Sequence, residues 1–279
     1  IGQYLPRNIL DEIYKIYIRP YLDYCDTIYD GHLTIHDTAR LETFQNRAAR
    51  LATGTFFRTP SEKLRTELGW DKLTIRRKLH RLLLYHKITT SQQHHLPTYV
   101  ATLTPQSREQ HTNRSLRNAG HHTQPHPRTT TYQRSFFTLT GREWNLLPDS
   151  TRTLPYSDFK KKITEHLCIP KPPTYYSHGT KTLNIMHTRI RTNMTQLNEN
   201  MFNIQKSDTP RCSCGYSRET IKHYIFSCTN YNQQRHILYR DIEHSLNYKL
   251  QHEPKSTQLD VLLHGRGLGG GGGRLVARH

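Results

Sequence analysis

Residues 59–90 read TPSEKLRTELGWDKLTIRRKLHRLLLYHKITT, and this stretch decides the fold class. Its first four residues have the pattern of a capping box with proline at the first helical position, which predicts a helix that ends near Gly69. Thr74 can then cap a longer helix, because apolar residues recur at intervals of three and four from Ile75 to Leu83. The stretch therefore predicts two consecutive helices and a mainly α protein.

Helical periodicity continues on both sides of this stretch. Two apolar stripes precede it, namely Ile9, Ile13, Ile16 and Tyr17 before Pro20, and Leu41, Phe44, Ala48 and Leu51 before Gly54. Three more follow it, namely Phe159, Ile163 and Leu167, then Leu183, Met186 and Ile190, and then Leu197, Met201 and Phe202. Spacing of this kind is typical of amphipathic helices, so we expect helices along most of the chain.

Composition divides the chain into consecutive segments. A connector rich in Thr, Gln, His and Arg has too few apolar residues to offset its ordering entropy, so we expect it to be partly disordered. Prolines at 170, 172 and 173 mark a boundary, and we expect the glycine-rich C-terminal tail to be disordered. The segments are a helical region (1–89), the polar connector (90–131), an aromatic and helical continuation (132–170), helices with a Cys/His cluster (171–253) and the tail (254–279).

The charge balance restricts the kind of partner. Lys plus Arg number 40 against 22 Asp plus Glu, a formal net charge of +18, which favours polyanions and argues against a cationic or neutral main ligand. The longest apolar run, residues 82–85, is far shorter than the roughly 20 residues of a membrane span, so we expect no integral membrane protein. No signal peptide opens the chain, and a start at Ile1 within a helical pattern is expected of a fragment.

Four potential metal ligands lie within residues 212–228. Cys212, Cys214, His223 and Cys228 have the spacing C-x-C-x8-H-x4-C, and three thiolates with one imidazole are a recognised structural zinc set. Because four protein ligands leave no open coordination position, we expect a structural rather than a catalytic zinc. The alternative is free buried cysteines beside an exposed histidine. Five cysteines in all are too few and too uneven for a disulfide framework, which favours a reducing compartment.

Basic residues are concentrated in two places. Between Asp71 and Glu143 a single acid, Glu109, stands against twelve bases, and such a block is neutralised most simply by a phosphate backbone. A second set surrounds the Cys/His cluster, where Tyr216 and Tyr224 supply rings on which bases can stack. For any one arginine, a solvated helix face is the alternative. The predicted nucleic-acid contacts are Arg76, Arg77, Lys78, Arg81, Arg189, Arg191, Arg211, Arg218 and Lys222.

Several short segments of the sequence occur in an order that is known from one protein family. They are YIRPYLDYCD (17–26), LETFQNRAARL (41–51), ELGW (67–70), REWNLLP (142–148) with a later Phe159-Lys160, and CSCG (212–215) followed by Glu219, Thr220, His223, Cys228 and Tyr231. The earlier phrases resemble the region after the polymerase core of LINE-type (non-LTR) retrotransposon reverse transcriptases. The last is similar to the C-terminal CCHC zinc knuckle of the same proteins.

The resemblance implies both an architecture and a role. It implies a helical thumb-like region, a polar linker and a small C-terminal zinc-knuckle module, downstream of a reverse transcriptase core in the parent protein. The module would position template RNA and target DNA during target-primed reverse transcription. We accordingly expect a ribonucleoprotein found in nucleus and cytoplasm.

The chain lacks the motif that such a polymerase needs. The family holds two metal ions with Tyr/Phe-x-Asp-Asp, and no Asp-Asp pair occurs here, so we expect no polymerisation by this chain alone. Two rival hypotheses remain. One is a metal-dependent nuclease or nucleotidyl transferase that uses Asp23, Asp26, Asp30 and nearby histidines. The other is a degenerate reading frame without selected function.

Overall fold

A computed structural model shows that the protein is mainly helical, as its sequence predicts. The structure describes residues 5–90, 97–107, 120–167 and 179–265. Within these ranges every regular element is a helix, and the only β pairing is an isolated antiparallel bridge between Ser107 and His122. Much of the predicted connector, the prolines at 170–173 and the glycine-rich residues 266–279 lie outside the described residues.

The α-helices are numbered in chain order. The N-terminal ones are α1 (Arg7–Ile13), α2 (Arg19–Asp23), α3 (Asp26–Tyr29), α4 (Ile35–Thr53), α5 (Ser61–Leu68) and α6 (Leu73–Thr90). Next come α7 (Thr98–Leu103), α8 (Thr130–Gln133), α9 (Phe136–Asn145), α10 (Asp149–Arg152) and α11 (Tyr156–His166). The last are α12 (Lys181–Arg191), α13 (Asn198–Asn203), α14 (Ile221–Phe226), α15 (Asn232–Leu246) and α16 (Lys255–His264). No described helix is both long and apolar enough to cross a membrane.

A π-helical turn, Tyr14–Ile18, connects α1 to α2. Pro20 has no N–H to donate to the carbonyl four residues earlier, and the N–H of Arg19 reaches back five residues to the carbonyl of Tyr14. The helix therefore widens before Pro20, and the chain continues in helical conformation to Asp23.

The chain divides into two compact units, each made of separated segments. The terminal unit comprises residues 1–10, 49–67 and 173–279, and the middle unit comprises residues 11–48 and 68–172. The five segments inferred from composition stay a prediction.

The core of the middle unit is aromatic and lies among α6, α9 and α11. Tyr85, Trp144 and Phe159 are almost completely buried in it, together with leucines of α6. The His86 ring stacks on Phe159 with ring centroids 4.3 Å apart. The apolar periodicity of α6 and α11 thus predicts their buried faces correctly, because these positions meet one another in the fold.

The apolar stripes of the first and second predicted helices are only partly turned inward, because Ile9, Ile13, Leu41 and Ala48 are half-buried and the other residues are exposed. Ile16, Tyr17, Phe44 and Leu51 are each more than half exposed. The buried face of α4 is formed by small and polar residues, which include Gln45, Ala49, Ala52 and Thr53. Gln45 is tolerated there because it accepts a hydrogen bond from the Tyr14 hydroxyl (2.6 Å) and donates one to the Asp71 carbonyl (2.7 Å).

The capping prediction at the start of α5 is half right. The helix begins at Ser61, one residue after the predicted first helical position Pro60, and Gly69 follows it with φ +64°, the left-handed conformation favoured by glycine. The Thr59 hydroxyl, however, is buried without a hydrogen-bond partner among the described residues, and the Thr59 N–H donates to the Phe56 carbonyl. The reciprocal bonds of a capping box are therefore not formed.

The terminal unit is joined by buried polar contacts and a small apolar cluster. The guanidinium of Arg191 on α12 forms a bidentate ion pair with the Glu67 carboxylate, at 2.8 and 3.0 Å. Arg7 donates to the backbone carbonyl of Glu67 at 2.7 Å. Tyr239, Leu250 and Val261 form the apolar cluster near its C-terminal end. These contacts bring together segments that are distant in the sequence.

Candidate metal centre

The side chains of the predicted metal ligands converge in the terminal unit. Cys212 and Cys228 are buried, with their sulfurs 3.6 Å apart, and the Cys214 sulfur lies 3.2 Å from Nε2 of His223. The four ligand atoms all lie within 4.8 Å of one another. The cluster could hold a metal ion.

A tight loop presents the first two cysteines. The Gly215 N–H donates to the Cys212 carbonyl at 2.9 Å, and the Cys212 N–H donates to the Tyr216 carbonyl at 3.0 Å. Gly215 has φ +92°, which favours glycine because a side chain there would be strained. The turn therefore depends on glycine at this position.

Helix α14 presents the histidine, and the chain after it presents the last cysteine. The Thr220 hydroxyl accepts a hydrogen bond from the His223 N–H at 3.0 Å and thereby caps the helix. After the helix ends, the Cys228 N–H donates to the His223 carbonyl at 2.8 Å. The two ligands are thus linked through the backbone as well as through the cluster.

Arg235 on α15 supports the last ligand from behind. Its guanidinium donates to the carbonyls of Ile225 (2.7 Å) and Cys228 (2.8 Å). Ile225 lies in the last turn of α14, and Cys228 follows the helix. The Ile225 carbonyl accepts no backbone hydrogen bond among the described residues, whereas the Cys228 carbonyl also accepts one from the Tyr231 N–H at 3.3 Å. This arginine, which the sequence places in a basic set, has a structural role here.

The two sulfurs of the C-x-C pair differ in acidity. The Tyr216 N–H donates to the Cys214 sulfur and lowers the pKa of that thiol to about 6. Burial raises the pKa of the Cys212 thiol to about 11. The lowered pKa favours the thiolate form of Cys214, which is the form of cysteine that binds metals.

Known proteins do not identify this chain. Comparison with protein-family models, curated proteins and solved structures finds no match. Function is therefore inferred from the cluster and from the residues that surround it.

A groove of about 370 Å³ lies beside the cluster, and its lining is basic and aromatic. Arg218, Lys222 and Lys255 contribute exposed cations to it. Tyr216 is 54% exposed, and its ring stacks on the His223 ring at 4.3 Å with the planes nearly parallel. The groove therefore combines positive charge with an aromatic surface that stacks on His223, one of the candidate ligands.

Three predicted contact residues lie around this cluster. Arg211 and Lys222 are exposed, and Arg218 is also exposed although it pairs with Glu199 at 3.3 Å. Lys255 was missed in the sequence because it begins α16, far along the chain from the cluster. Only its place in the fold brings it to the groove.

The predicted contacts on α6 are in a different environment. Asp30 contacts both Arg77 and Arg81, whose side chains are 1% and 5% exposed. Arg81 also donates to both oxygens of Glu143 at 3.0 Å, and Arg76 makes a two-pronged contact with Asp23. These guanidinium groups already have carboxylate partners.

Lys78 alone of the four is substantially exposed, at 39% of its side chain, and it lies 3.7 Å from Glu143. The positive charge of these α6 residues is therefore largely neutralised by carboxylates of the protein itself. Its assignment to phosphate contacts stays a prediction, and the structure gives these residues a role in joining α6 to neighbouring segments.

The two predicted nucleic-acid contacts on α12 also have partners within the protein. The Arg191 side chain is fully buried against Glu67. Arg189 donates to the Gly54 carbonyl at 2.9 Å and lies over the Phe56 ring at 4.5 Å. Both arginines hold α12 within the terminal unit.

Asp23, Asp26 and His80 also bring ligand atoms within 4.8 Å of one another. Their groups are already paired, because Asp23 contacts Arg76 and the His80 ring contacts Asp26. Asp30, the third acid of the nuclease hypothesis, is paired with the α6 arginines. The arrangement is that of an internal ion-pair network.

Proposed function

We propose that this chain is a nucleic-acid-binding module that positions template and target strands, held in shape by a structural zinc ion. Cys212, Cys214, His223 and Cys228 would be the zinc ligands. The observation that carries the proposal is the position of the basic and aromatic groove directly against this Cys₃His cluster. The parent protein would be a LINE-type reverse transcriptase whose catalytic core lies upstream.

The donor set fits zinc better than other common ions. Thiolate and imidazole are ligands that zinc prefers, whereas calcium and magnesium prefer oxygen. Tetrahedral zinc with Zn–S bonds of about 2.3 Å separates two sulfurs by about 3.8 Å. The 3.6 Å between the Cys212 and Cys228 sulfurs is close to that separation.

The zinc would act on nucleic acid only indirectly. It fixes the loop that carries Tyr216 and Arg218 relative to the helix that carries Lys222. The cations contact phosphates and release counterions, and the Tyr216 ring offers a stacking surface for a base. Such contacts read little sequence, so the module would bind unrelated sequences with similar affinity.

Zinc content and salt-dependent binding, measured on the purified full chain, test this proposal. We expect one equivalent of zinc and binding of labelled RNA and DNA that weakens steeply with salt. The double variant Lys222→Gln/Lys255→Gln should reduce the slope of log affinity against log salt by up to about 0.9 per lost duplex phosphate contact. Removal of zinc with a chelator should weaken binding further.

The control removes the same charge elsewhere. Lys160→Gln/Lys161→Gln changes two exposed lysines on α11 and should alter binding less than the groove variant. The Cys228→Ser variant should no longer retain zinc. A metal-free protein, or equal losses for the groove and control variants, would contradict the proposal.

A further inference from the structure

The outward stripe of α4 forms part of a continuous open surface on the middle unit. One groove of about 560 Å³ is lined by residues that include Tyr17, Tyr21 and Phe44. An adjoining groove of about 480 Å³ is lined by His36, Thr43 and Arg47 among others, and Arg40 and Phe44 belong to both grooves. We call the surface made by Tyr17, Tyr21, Arg40, Phe44 and Arg47 the aromatic face.

The rings of this face are held on rigid elements and are open to solvent. Tyr17 lies in the π turn and Tyr21 in α2, and they are 67% and 84% exposed. Phe44 is 51% exposed on α4, and the next residue, Gln45, is buried and hydrogen-bonded to Tyr14. Large apolar rings exposed together in this way are typical of a binding surface.

The cations of the face are available, unlike those of α6. Arg40 and Arg47 are exposed and form no ion pair with any residue that the structure describes. They lie seven residues apart on one side of α4, a separation of about 10 Å along the helix axis. The acid that lines the groove, Asp37, accepts a hydrogen bond from the Thr34 hydroxyl at 2.6 Å at the helix start.

We propose that the aromatic face binds single-stranded nucleic acid. Arg40 and Arg47 contact phosphates, and bases stack on the rings of Tyr17, Tyr21 and Phe44. A protein partner that covered the rings would remove the two arginine charges from water, which is costly without matching acids. A duplex hides the faces of its bases, so the rings favour an unpaired strand.

This inference rests on the proposed function but concerns a separate surface. The experiment is fluorescence anisotropy of the full chain with labelled poly(dT) or poly(U) of about 20 nucleotides, beside a duplex of the same length. Tyr21→Ala/Phe44→Ala should weaken single-strand binding about 10-fold or more, and duplex binding less than about 2-fold. Arg40→Gln/Arg47→Gln should reduce the single-strand salt slope by about 1.4, at 0.7 per contact.

Matched controls use exposed residues of the same unit. Tyr99→Ala/Tyr132→Ala removes two other exposed rings and should leave single-strand binding within about 2-fold of wild type. Circular dichroism checks that each variant remains folded. Photocrosslinking of a 4-thiouridine strand, followed by peptide mapping, should place the crosslinks within residues 17–47.

Three outcomes would overturn the inference. The first is an equal loss for single strand and duplex, and the second is no loss from the aromatic variant. In the second case, a loss from Lys222→Gln/Lys255→Gln would leave the proposed function intact. The third is a wild-type dimer that Tyr21→Ala/Phe44→Ala converts to a monomer with unchanged nucleic-acid binding, which would assign the face to a second copy of the chain.

Discussion

Asp30 is the acidic partner of two buried arginines of α6, one of which, Arg81, also pairs with Glu143. Its carboxylate contacts Arg77 and Arg81, whose side chains are almost completely removed from solvent. Breaking a buried ion pair from one side leaves uncompensated charge, which costs about 3–5 kcal/mol. Asp30→Asn should therefore lower the free energy of unfolding by this amount, measured by urea denaturation.

Asp241→Asn is the matched control for that substitution. Asp241 pairs with Arg240 on the surface, where both side chains are more than half exposed. Surface pairs of this kind contribute at most about 1 kcal/mol. If Asp30→Asn were no more destabilising than Asp241→Asn, the ion-pair network would not stabilise the fold.

His122 makes the stability of the middle unit depend on pH. Burial, with a smaller effect from nearby Arg152, lowers the pKa of this imidazole from 6.5 to about 4. Its Nδ1 lies 2.7 Å from the Tyr85 hydroxyl. In the folded state the ring stays neutral at pH values where the unfolded chain takes up a proton.

The sign of the pH dependence follows from that difference. The contribution of His122 to the free energy of unfolding is complete above about pH 6.5 and is lost as the pH drops toward 4. The free energy of unfolding changes by at most about 1.4 kcal/mol per pH unit through this group. Burial lowers the pKa of His86 as well, so its contribution has the same sign. Urea denaturation between pH 7 and 5 should show a fall in the free energy of unfolding. The His122→Asn variant should show a smaller slope of that free energy against pH. A slope that His122→Asn leaves unchanged would contradict this assignment.

At the scale of elements, helix α14 connects its N-cap to the proposed zinc site. Its Thr220 cap bonds to the N–H of the ligand His223. Loss of such a cap costs about 1 kcal/mol, which corresponds to about a 5-fold change in an equilibrium constant. Thr220→Ala should therefore weaken zinc binding about 5-fold in a competition titration with a chelating dye, and Thr220→Ser should restore it.

Thr180 provides a control of the same kind. It caps α12, and its hydroxyl accepts a hydrogen bond from the Leu183 N–H. Thr180→Ala should leave zinc affinity unchanged. An equal loss from both substitutions would mean that the cap acts on the terminal unit as a whole and not on the ligand.

Helix α11 depends on one ring for its attachment. Phe159 is fully buried against Trp144 and His86. Phe159→Ala removes that contact and leaves a cavity, so the free energy of unfolding should fall by about 3–5 kcal/mol. Leu146→Ala, at a residue that is 82% exposed, should change it by less than about 0.5 kcal/mol. Thermal and urea unfolding measure both.

At the scale of the whole molecule, metal removal should act locally. The middle unit has its own aromatic core, whereas residues 212–228 carry the Cys/His cluster and contribute no apolar residue to that core. We expect a chelator to abolish amide hydrogen-exchange protection in α14 while α6 and α11 remain protected. Loss of protection throughout the chain, or none in α14, would contradict this expectation.

The sequence by itself determined the mainly helical fold class and the Cys/His cluster of this protein. Both depend on near neighbours, because helical periodicity acts over three and four residues and the ligands lie within residues 212–228. The cap at Thr220 and the turn at Gly215 are equally local, and the structure has both.

Only the tertiary structure decided which faces are buried and which charges are paired. Arg77 and Arg81 find their partners in Asp30 and Glu143, 47 and 62 residues away along the chain. Phe44 points outward although it lies in an apolar stripe, since the opposite face of α4 is buried. A charge is free or neutralised according to what the fold brings beside it, and periodicity along a helix carries no information about that neighbour.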